Sequence, residues 1–248
     1  MIGCRATETT APATSVPQFE QHLEDLRAGS HIPAITAVIA HGQAIVWARG
    51  FGIADLATQR AAADTTVYHL ASLTKPFAST VIMQLVEEGK LGLDDPVSLY
   101  GINLGTAAGE IRVRHLLSHT SEGTPGTKFI YNGDRFGLLD SVIARGAGKP
   151  FATVLYERII APIGLLRTAP NPLTPSFDVT GLNKAVFVSN LARGYTYGSN
   201  GNALTAYPTY FGTAAGLTAS ALDVATFSMA MDRDALLRPE TKALAYKP

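Results

Sequence analysis

Apolar residues recur at helical spacing near the start of the chain and then gather into two short runs. Phe19, Leu23 and Leu26 fall on one face of a segment that predicts a helix over 18–29, ending at a glycine. The runs AITAVIA and AIVWARGFG follow, joined by the glycine-containing turn 41–43, which predicts a β-hairpin. Neither run alternates cleanly between apolar and polar residues, so we expect both faces of this sheet to be covered in a layered α/β arrangement.

The segment ASLTKPFASTVIMQLVEEGK is apolar on nearly every side of the helix that it predicts. We expect this helix to begin at or near Ser72 and to end at Gly89. Pro76 is tolerated because the first turn of a helix has backbone N–H groups without intrahelical partners. The pattern therefore predicts a buried helix whose first turn carries a serine and a lysine.

More helices are predicted in the second half of the chain, separated by segments rich in turn-forming residues. FATVLYERIIAPIGL predicts one helix from Phe151, and TAAGLTASALDVATFSMAMDRDALL predicts another with its cap at Thr218 or Ser220. Between them, the stretch 193–212 is rich in Gly, Asn and Tyr, and we expect it to form an irregular loop beside a pocket. This part of the chain is therefore mainly helical.

Composition narrows the class of protein. The chain has 248 residues, 46% hydrophobic and 16% charged, which is typical of a folded globular protein. Lys plus Arg number 20 and Asp plus Glu number 20, so no net charge attracts a polyanion, and we do not expect a nucleic-acid partner. One cysteine and six histidines, with no H-E-x-x-H pattern, give no reason to expect a metal site. The longest apolar runs are too short to span a membrane.

The N-terminal residues carry a separate signal. MIGC resembles the end of a bacterial lipoprotein signal, in which a small residue precedes a lipid-bearing cysteine, and this makes Cys4 a candidate lipidation site. The alternative is an ordinary start, because no apolar segment precedes the cysteine. The Thr, Ala and Pro content that follows predicts a flexible tether over residues 1–17.

Ser72 and Lys75 form a candidate nucleophile and base. Residues three apart on a helix share a face, so the amine can reach the hydroxyl. An apolar environment favours a neutral amine that can accept the serine proton, and a helix N-terminus favours the negative charge of acyl transfer. The alternative is that Ser72 only caps the helix while Lys75 extends to solvent.

The sequence around Ser72 and Lys75 resembles that of the serine β-lactamase-related family, which includes class C β-lactamases, D-alanyl-D-alanine carboxypeptidases and esterases. The likeness is carried by YHLASLTKPFASTVIMQLVEEGKLGLDDPVSLY and IRVRHLLSHTSEG, and it extends over residues 18–241. It implies a β-lactamase/transpeptidase-like α/β (α+β) fold, with an antiparallel sheet part plus a mainly helical part. The sheet part would begin in 18–66, the helical part would span 67–237, and 238–248 would return to the sheet part.

The resemblance also implies an activity and a third catalytic residue. The family forms an acyl-enzyme on its serine, so we expect a serine hydrolase acting on an ester, amide or β-lactam, with no metal or organic cofactor. The family's Tyr-x-Asn box aligns with YNG, which gives Tyr131 a role in proton transfer. Gly133 replaces the box's Asn, so Asn132, one residue early, is the candidate for substrate binding, and we favour an ester or D-alanyl peptide over a β-lactam.

Two alternative assignments of the nucleophile have less support. Ser118 and His119 are neighbours, and neighbours on a helix point about 100° apart, so they make a poor catalytic pair. His115 and His119 are then structural histidines in a helical turn. No G-x-S-x-G pattern is present to support a nucleophile elbow.

The family's last box, Lys-Thr-Gly or His-x-Gly, does not occur in the 248 residues. We therefore expect the hairpin and the 72–88 helix to expose apolar surface, which the rest of a longer protein, a cleaved fragment or a neighbouring subunit would cover. A non-catalytic penicillin-binding-like or peptidoglycan-interacting protein is the alternative function. For the hydrolase we expect a small-molecule or peptidoglycan-derived substrate, and for either function a periplasmic or cell-envelope location in a bacterium.

Overall fold

The computed structural model describes residues 15–105 and 109–246. Their α-helices are α1 (Val16–Gly29), α2 (Thr74–Glu87), α3 (Val113–Leu117), α4 (Gly133–Gly137), α5 (Leu139–Ala147), α6 (Phe151–Leu155), α7 (Lys184–Ser189), α8 (Ala221–Asp232) and α9 (Pro239–Ala245). Their strands are β1 (Ala34–His41), β2 (Ala44–Asp55), β3 (Arg60–Ala61), β4 (Val67–His69), β5 (Thr168–Pro170), β6 (Gly194–Gly198), β7 (Gly201–Thr205) and β8 (Leu217–Ser220). No helix among these residues is both long and apolar enough to cross a membrane.

The first helix begins earlier than the sequence predicted. The Ser15 side chain accepts a hydrogen bond from the Gln18 backbone N–H, while the Gln18 side chain accepts one from the Ser15 N–H. This reciprocal capping box starts α1 at Val16, so the last residues of the predicted tether belong to the helix. The candidate lipidation site Cys4 lies outside the described residues.

The predicted hairpin is present as β1 and β2, and the short strand β3 adds a third strand to it. Helix α1 packs on β2, where the rings of Phe19 and Trp47 lie 5.3 Å apart, and α8 packs on β1. Burial declines towards the turn, and the exposed fraction of Val46 is 58%. The prediction that both faces are covered is therefore wrong for the turn end, residues 39–46, because the strands there are exposed.

Helix α2 lies in the centre of the main core, packed against α5 and α6. Phe77, Val81, Ile82 and Leu85 are almost completely buried. The expectation that this helix exposes an apolar face is therefore wrong, because the surrounding helical part already encloses it. The α-helix begins at Thr74, just after Ser72, since residues 71–73 form a 3₁₀ turn.

A small sheet of order β4-β8-β5 lies within the mainly helical part. Strand β8 leads directly into α8, whose first turn is capped by the Ser220 side chain, which accepts from the Asp223 N–H. The prediction of a cap at Ser220 is confirmed, whereas Thr218 lies within the strand. Two hydrogen bonds, from the Leu70 N–H to the Leu217 carbonyl oxygen and from the Leu217 N–H to the Thr74 hydroxyl, fix β8 beside the start of α2.

The segment 193–212 is not the irregular loop that its composition predicted, because it contains the antiparallel hairpin β6-β7. The hydroxyls of Thr196 and Thr205 hydrogen-bond across the pair at 2.7 Å. The Tyr195 hydroxyl also accepts a hydrogen bond from the Leu56 N–H at 2.8 Å, which ties the hairpin to the end of β2. Cross-strand and tertiary contacts of this kind overcome the weak strand propensity of glycine and asparagine.

Gly216, which precedes β8, has a backbone conformation that a side chain would not tolerate. Its φ is +100°, and a Cβ would collide with the backbone oxygen of Tyr210. We expect Gly216→Ala to lower the free energy of unfolding by about 1–3 kcal/mol, measured by urea denaturation. Gly198→Ala is the control, because a Cβ there meets no atom within 4 Å, and equal losses in both variants would contradict the steric explanation.

Candidate active site

The candidate nucleophile lies in a turn that is held on two sides. Ser72 is exposed and follows Ala71, which has a φ of +46°. The Thr74 hydroxyl donates to the Ala71 carbonyl oxygen at 2.7 Å and accepts from the Leu217 N–H at 3.0 Å. One hydroxyl thus links the turn to β8 and keeps Ser72 accessible in front of the positive end of α2.

Lys75 is 8% exposed, and its Nζ contacts the candidate nucleophile. The Nζ donates to the Ser72 Oγ at 3.0 Å and to the Ala214 carbonyl oxygen at 2.8 Å. It also lies 4.9 Å and 5.4 Å from the ring centroids of Tyr131 and Phe136, which favours a cation. The alternative in which Lys75 extends to solvent is wrong, and the Ser72 side chain caps neither the 3₁₀ turn nor α2.

Tyr131 completes the cluster from a segment 59 residues further along the chain. Its hydroxyl lies 2.6 Å from the Ser72 Oγ. Its interaction with Lys75 and then its hydrogen bond with Ser72 hold the pKa of the Tyr131 phenol below its usual value. A phenol with this environment can lose its proton more easily than an ordinary tyrosine, so it can accept one from the serine.

His119 supports Tyr131 and was missed as part of the site. It follows α3 with a φ of +54°, and its ring lies 4.5 Å from that of Tyr131. Burial, and then the nearby charge of Lys75, lower the pKa of His119, while its Nδ1 accepts from the Asn132 N–H at 3.2 Å. A neutral His119 therefore packs against the phenol. The sequence indicated only a structural histidine in a helical turn and gave no signal for the contact with Tyr131.

Asn132 is not brought into the cluster. Its Nδ2 donates to a Glu122 carboxylate oxygen at 2.6 Å, and its Oδ1 accepts from the Arg135 N–H at 2.9 Å. These bonds make Asn132 the cap of α4, and it is not among the residues that line the cavity beside Ser72. The predicted contact between Asn132 and a substrate thus has no support in this geometry.

The cavity beside the nucleophile has a volume of about 500 Å³. Its lining residues are Ser72, Lys75, Tyr131, Gly133, Asp134, Gly137, Tyr210, Ala214 and Ala215. A Cβ at Gly133 would meet no atom within 4 Å, so the position of the family's Asn is open space. Across 15–105 and 109–246, no group of three or more His, Cys, Asp or Glu residues could hold a metal ion.

Known proteins resemble this chain in sequence. The family model described as Beta-lactamase matches residues 19–247. The esterase EstB of Burkholderia gladioli is 33% identical over 136 residues, which cover 51% of this chain and 33% of the esterase. The D-alanyl-D-alanine-carboxypeptidase/endopeptidase AmpH of Escherichia coli is 25% identical over 214 residues, which cover 68% of this chain and 55% of AmpH. The chain thus spans between a third and about half of these relatives.

A solved structure has the same fold. The octameric penicillin-binding protein homologue from Pyrococcus abyssi superposes with a TM-score of 0.81 at 23% identity, covering 92% of this chain and 59% of that one. The β-lactamase/transpeptidase-like fold predicted from the sequence is therefore confirmed. The family match over most of the residues, together with this fold, identifies the chain as a member of the beta-lactamase family of serine hydrolases and penicillin-binding proteins.

Proposed function

We propose that this chain carries the acyl-transfer centre of a serine hydrolase that cleaves esters through an acyl-enzyme on Ser72. D-alanyl peptides and related amides form the second substrate class. The observation that carries the proposal is the triangle of reactive atoms, in which the Ser72 Oγ lies 2.6 Å from the Tyr131 hydroxyl and 3.0 Å from the Lys75 Nζ. A nucleophile in hydrogen-bond reach of both a proton acceptor and a cation is the arrangement that covalent acyl transfer requires.

The directions of the hydrogen bonds give each residue a role. The Lys75 Nζ donates to the Ser72 Oγ, so the serine's own proton can point to the Tyr131 oxygen. The Tyr131 phenolate accepts that proton as the Oγ attacks the substrate carbonyl carbon. Collapse of the tetrahedral intermediate breaks the ester C–O bond, and Tyr131 gives the proton to the leaving alcohol. Water then repeats the sequence, with Tyr131 as base, and releases the acid and Ser72.

The surroundings of the nucleophile favour esters over β-lactams. Gly133 supplies no side-chain amide to the cavity, and the Asn132 amide is engaged by Glu122 and Arg135. An ester has a better leaving group than an amide, so its cleavage depends less on groups that orient the carbonyl and the leaving atom. The open cavity of about 500 Å³ leaves room for a small acyl group.

Covalent labelling is the direct test of the proposal. We expect a fluorophosphonate probe to add its mass to the peptide that contains Ser72, and p-nitrophenyl acetate to be hydrolysed faster than nitrocefin. Nitrocefin turnover of many per second would reverse the substrate preference. A folded protein that takes up neither a fluorophosphonate nor a labelled β-lactam would favour the alternative of a non-catalytic, peptidoglycan-interacting protein.

A bacterial cell-envelope location belongs to the same proposal. It is supported by the resemblance of MIGC to a lipoprotein signal end, with Cys4 as the residue that would carry the lipid. A substrate derived from peptidoglycan would be found in the same compartment. Incorporation of labelled palmitate into the protein expressed in bacteria, and its loss in Cys4→Ser, would support the anchor.

Gly133→Asn is expected to raise hydrolysis of an acyl-D-alanine amide relative to p-nitrophenyl acetate by about fivefold, the effect of one hydrogen bond of about 1 kcal/mol. The new side chain would enter open space in the cavity wall beside Tyr131 and could hold the substrate's amide group. Steady-state kinetics with both substrates measure the ratio. Gly133→Leu has similar bulk without the amide, and an equal change in that variant would contradict the role of the hydrogen bond.

A further inference from the structure

Lys75 needs a fixed partner because a lysine side chain has several rotatable bonds. Among the described residues, its Nζ donates to two oxygen atoms, the Ser72 Oγ and the Ala214 carbonyl oxygen. The first of these is the nucleophile itself and moves during the reaction. The Ala214 carbonyl is therefore the group that sets the position of the amine before the substrate arrives.

The Ala214 carbonyl belongs to a tight turn, residues 212–215, that is anchored next to it. Gly212 and Ala215 exchange backbone hydrogen bonds of 3.0 Å and 3.3 Å. Thr213 is completely buried; its N–H donates to the Asp140 Oδ1 at 2.9 Å, and its hydroxyl donates to the Phe136 carbonyl oxygen at 3.2 Å. The hydroxyl also lies 3.4 Å from the Gly137 carbonyl oxygen, so the residue just before Ala214 is held by one carboxylate and two backbone carbonyls.

Asp140 is an unusual group to find at this place. It lies in the first turn of α5, between Leu139 and the buried pair Val142 and Ile143, so its backbone is fixed by the main core. Burial raises the pKa of Asp140 to about 6, partly offset by the hydrogen bonds from Thr213. A carboxylate that is partly withdrawn from water costs stability, and the catalytic cluster described above does not contact it. The hydrogen bond that Asp140 accepts from the Thr213 N–H indicates a role in holding the turn in place.

We infer that Asp140 is a positioning residue for Lys75, acting through Thr213 and the Ala214 carbonyl to hold the amine against Ser72. This inference rests on the proposed function for its effect on activity. A displacement of about 1 Å in a reacting group can cost about 100-fold in rate, so weakening one anchor of the turn should be visible in kcat. Substrate contacts are unchanged, so KM should change little.

The ionisable groups near Asp140 are few. Tyr210, in the segment before the turn, faces it, and burial, then the charges of Asp140 and Asp134, raise the pKa of Tyr210. Tyr210 and Asp134 never carry a positive charge, so neither of them stabilises the ionised Asp140 carboxylate. Protonation of Asp140 as the pH falls through about 6 weakens its bond to Thr213.

The test compares Asp140→Asn with Asp223→Asn. Asp223 is a second carboxylate in the first turn of a helix, α8, and accepts from the Arg167 N–H at 2.7 Å and the Thr168 hydroxyl at 2.8 Å, away from the 212–215 turn. With p-nitrophenyl acetate at pH 8, we expect Asp140→Asn to lower kcat about five- to tenfold with KM unchanged, and to remove the step in activity near pH 6. Asp223→Asn should keep the wild-type kcat and the step.

Stability separates positioning from a general loss of structure. The pKa of Asp140 is higher in the folded protein than in the unfolded chain, so ionisation of Asp140 lowers the stability of the folded state as the pH rises. This loss of stability is complete at pH 8. Asp140→Asn should therefore have a Tm at pH 8 equal to or above that of the wild type while its kcat falls. An unchanged kcat, or a fall in kcat that follows a fall in Tm, would overturn the inference.

A second measurement does not depend on activity. Acetic anhydride labelling, followed by mass spectrometry, reports how freely Lys75 reacts relative to the exposed Lys149. We expect Lys75 to be acetylated at least threefold faster in Asp140→Asn than in the wild type or in Asp223→Asn. A wild type that does not hydrolyse p-nitrophenyl acetate but shows this change in labelling would reject the proposed hydrolase and keep the positioning role. Equal labelling rates in all three proteins would reject the positioning role itself.

Discussion

Ser72→Ala is expected to reduce hydrolysis of p-nitrophenyl acetate by about 10⁴-fold or more, because the acyl-enzyme can no longer form. The free energy of unfolding should change by less than about 1 kcal/mol, since the Ser72 side chain is exposed and caps no helix. Lys75 keeps its bond to the Ala214 carbonyl in this variant. Initial rates and urea denaturation measure the two quantities.

The matched control for this variant is Ser118→Ala. Ser118 is also exposed, and its hydroxyl bonds to the Arg114 carbonyl oxygen and the Thr120 hydroxyl at 2.8 Å each. His119 follows it in the chain, so Ser118→Ala tests the competing assignment of Ser118 and His119 as the catalytic pair. Wild-type rates in Ser72→Ala, or a collapse of activity in Ser118→Ala, would show that the nucleophile has been misassigned.

Lys75→Ala should lower the rate to within about tenfold of Ser72→Ala, because residues that act as one unit give losses that do not add. Lys75→Arg should not restore it. The guanidinium is longer, larger and planar, so it does not fit the buried place where the Lys75 Nζ lies 3.0 Å from the Ser72 Oγ and 2.8 Å from the Ala214 oxygen. An active Lys75→Arg variant would mean that positive charge alone is sufficient.

The pH profile of the residual activity identifies the base. A base works only when deprotonated, so activity falls as the pH drops through its pKa. In the wild type, Lys75 and Ser72 lower the pKa of Tyr131, and this acid limb lies below the ordinary tyrosine value of about 10. Lys75 is the largest cause of the lowered Tyr131 pKa, so the acid limb of the pH profile should move to higher pH in Lys75→Ala. A limb that does not move would contradict Tyr131 as the base.

Local sequence determined the parts of the site that lie within one helical turn. The spacing of Ser72 and Lys75 places them on one face whatever surrounds them, and the buried character of α2 could be read from its apolar residues. Tyr131 is different, because nothing local joins it to Ser72. It was predicted only from the resemblance to a family that has a tyrosine at this place.

The groups that fix Lys75 could not have been predicted. The acceptor is the backbone carbonyl of Ala214, and every residue has such a carbonyl, so no residue type marks it. Asp140 contacts the backbone N–H of Thr213, a group that almost every residue has and that no residue type marks in a sequence. The hairpin β6-β7 was missed for a related reason, since strand pairing and the Tyr195 bond to Leu56 are long-range and outweigh local propensity.

The separation of these groups along the chain affects when the centre can form. Lys75 and its acceptor Ala214 are 139 residues apart, and Thr74 and Leu217 are 143 residues apart. A ribosome adds about 5–20 residues per second, so roughly 7–28 s pass between synthesis of the lysine and of its partner carbonyl. During that interval the nascent chain has a serine and an amine but no assembled nucleophile. We therefore expect reactivity towards acyl donors to begin only after most of this region has been translated and folded.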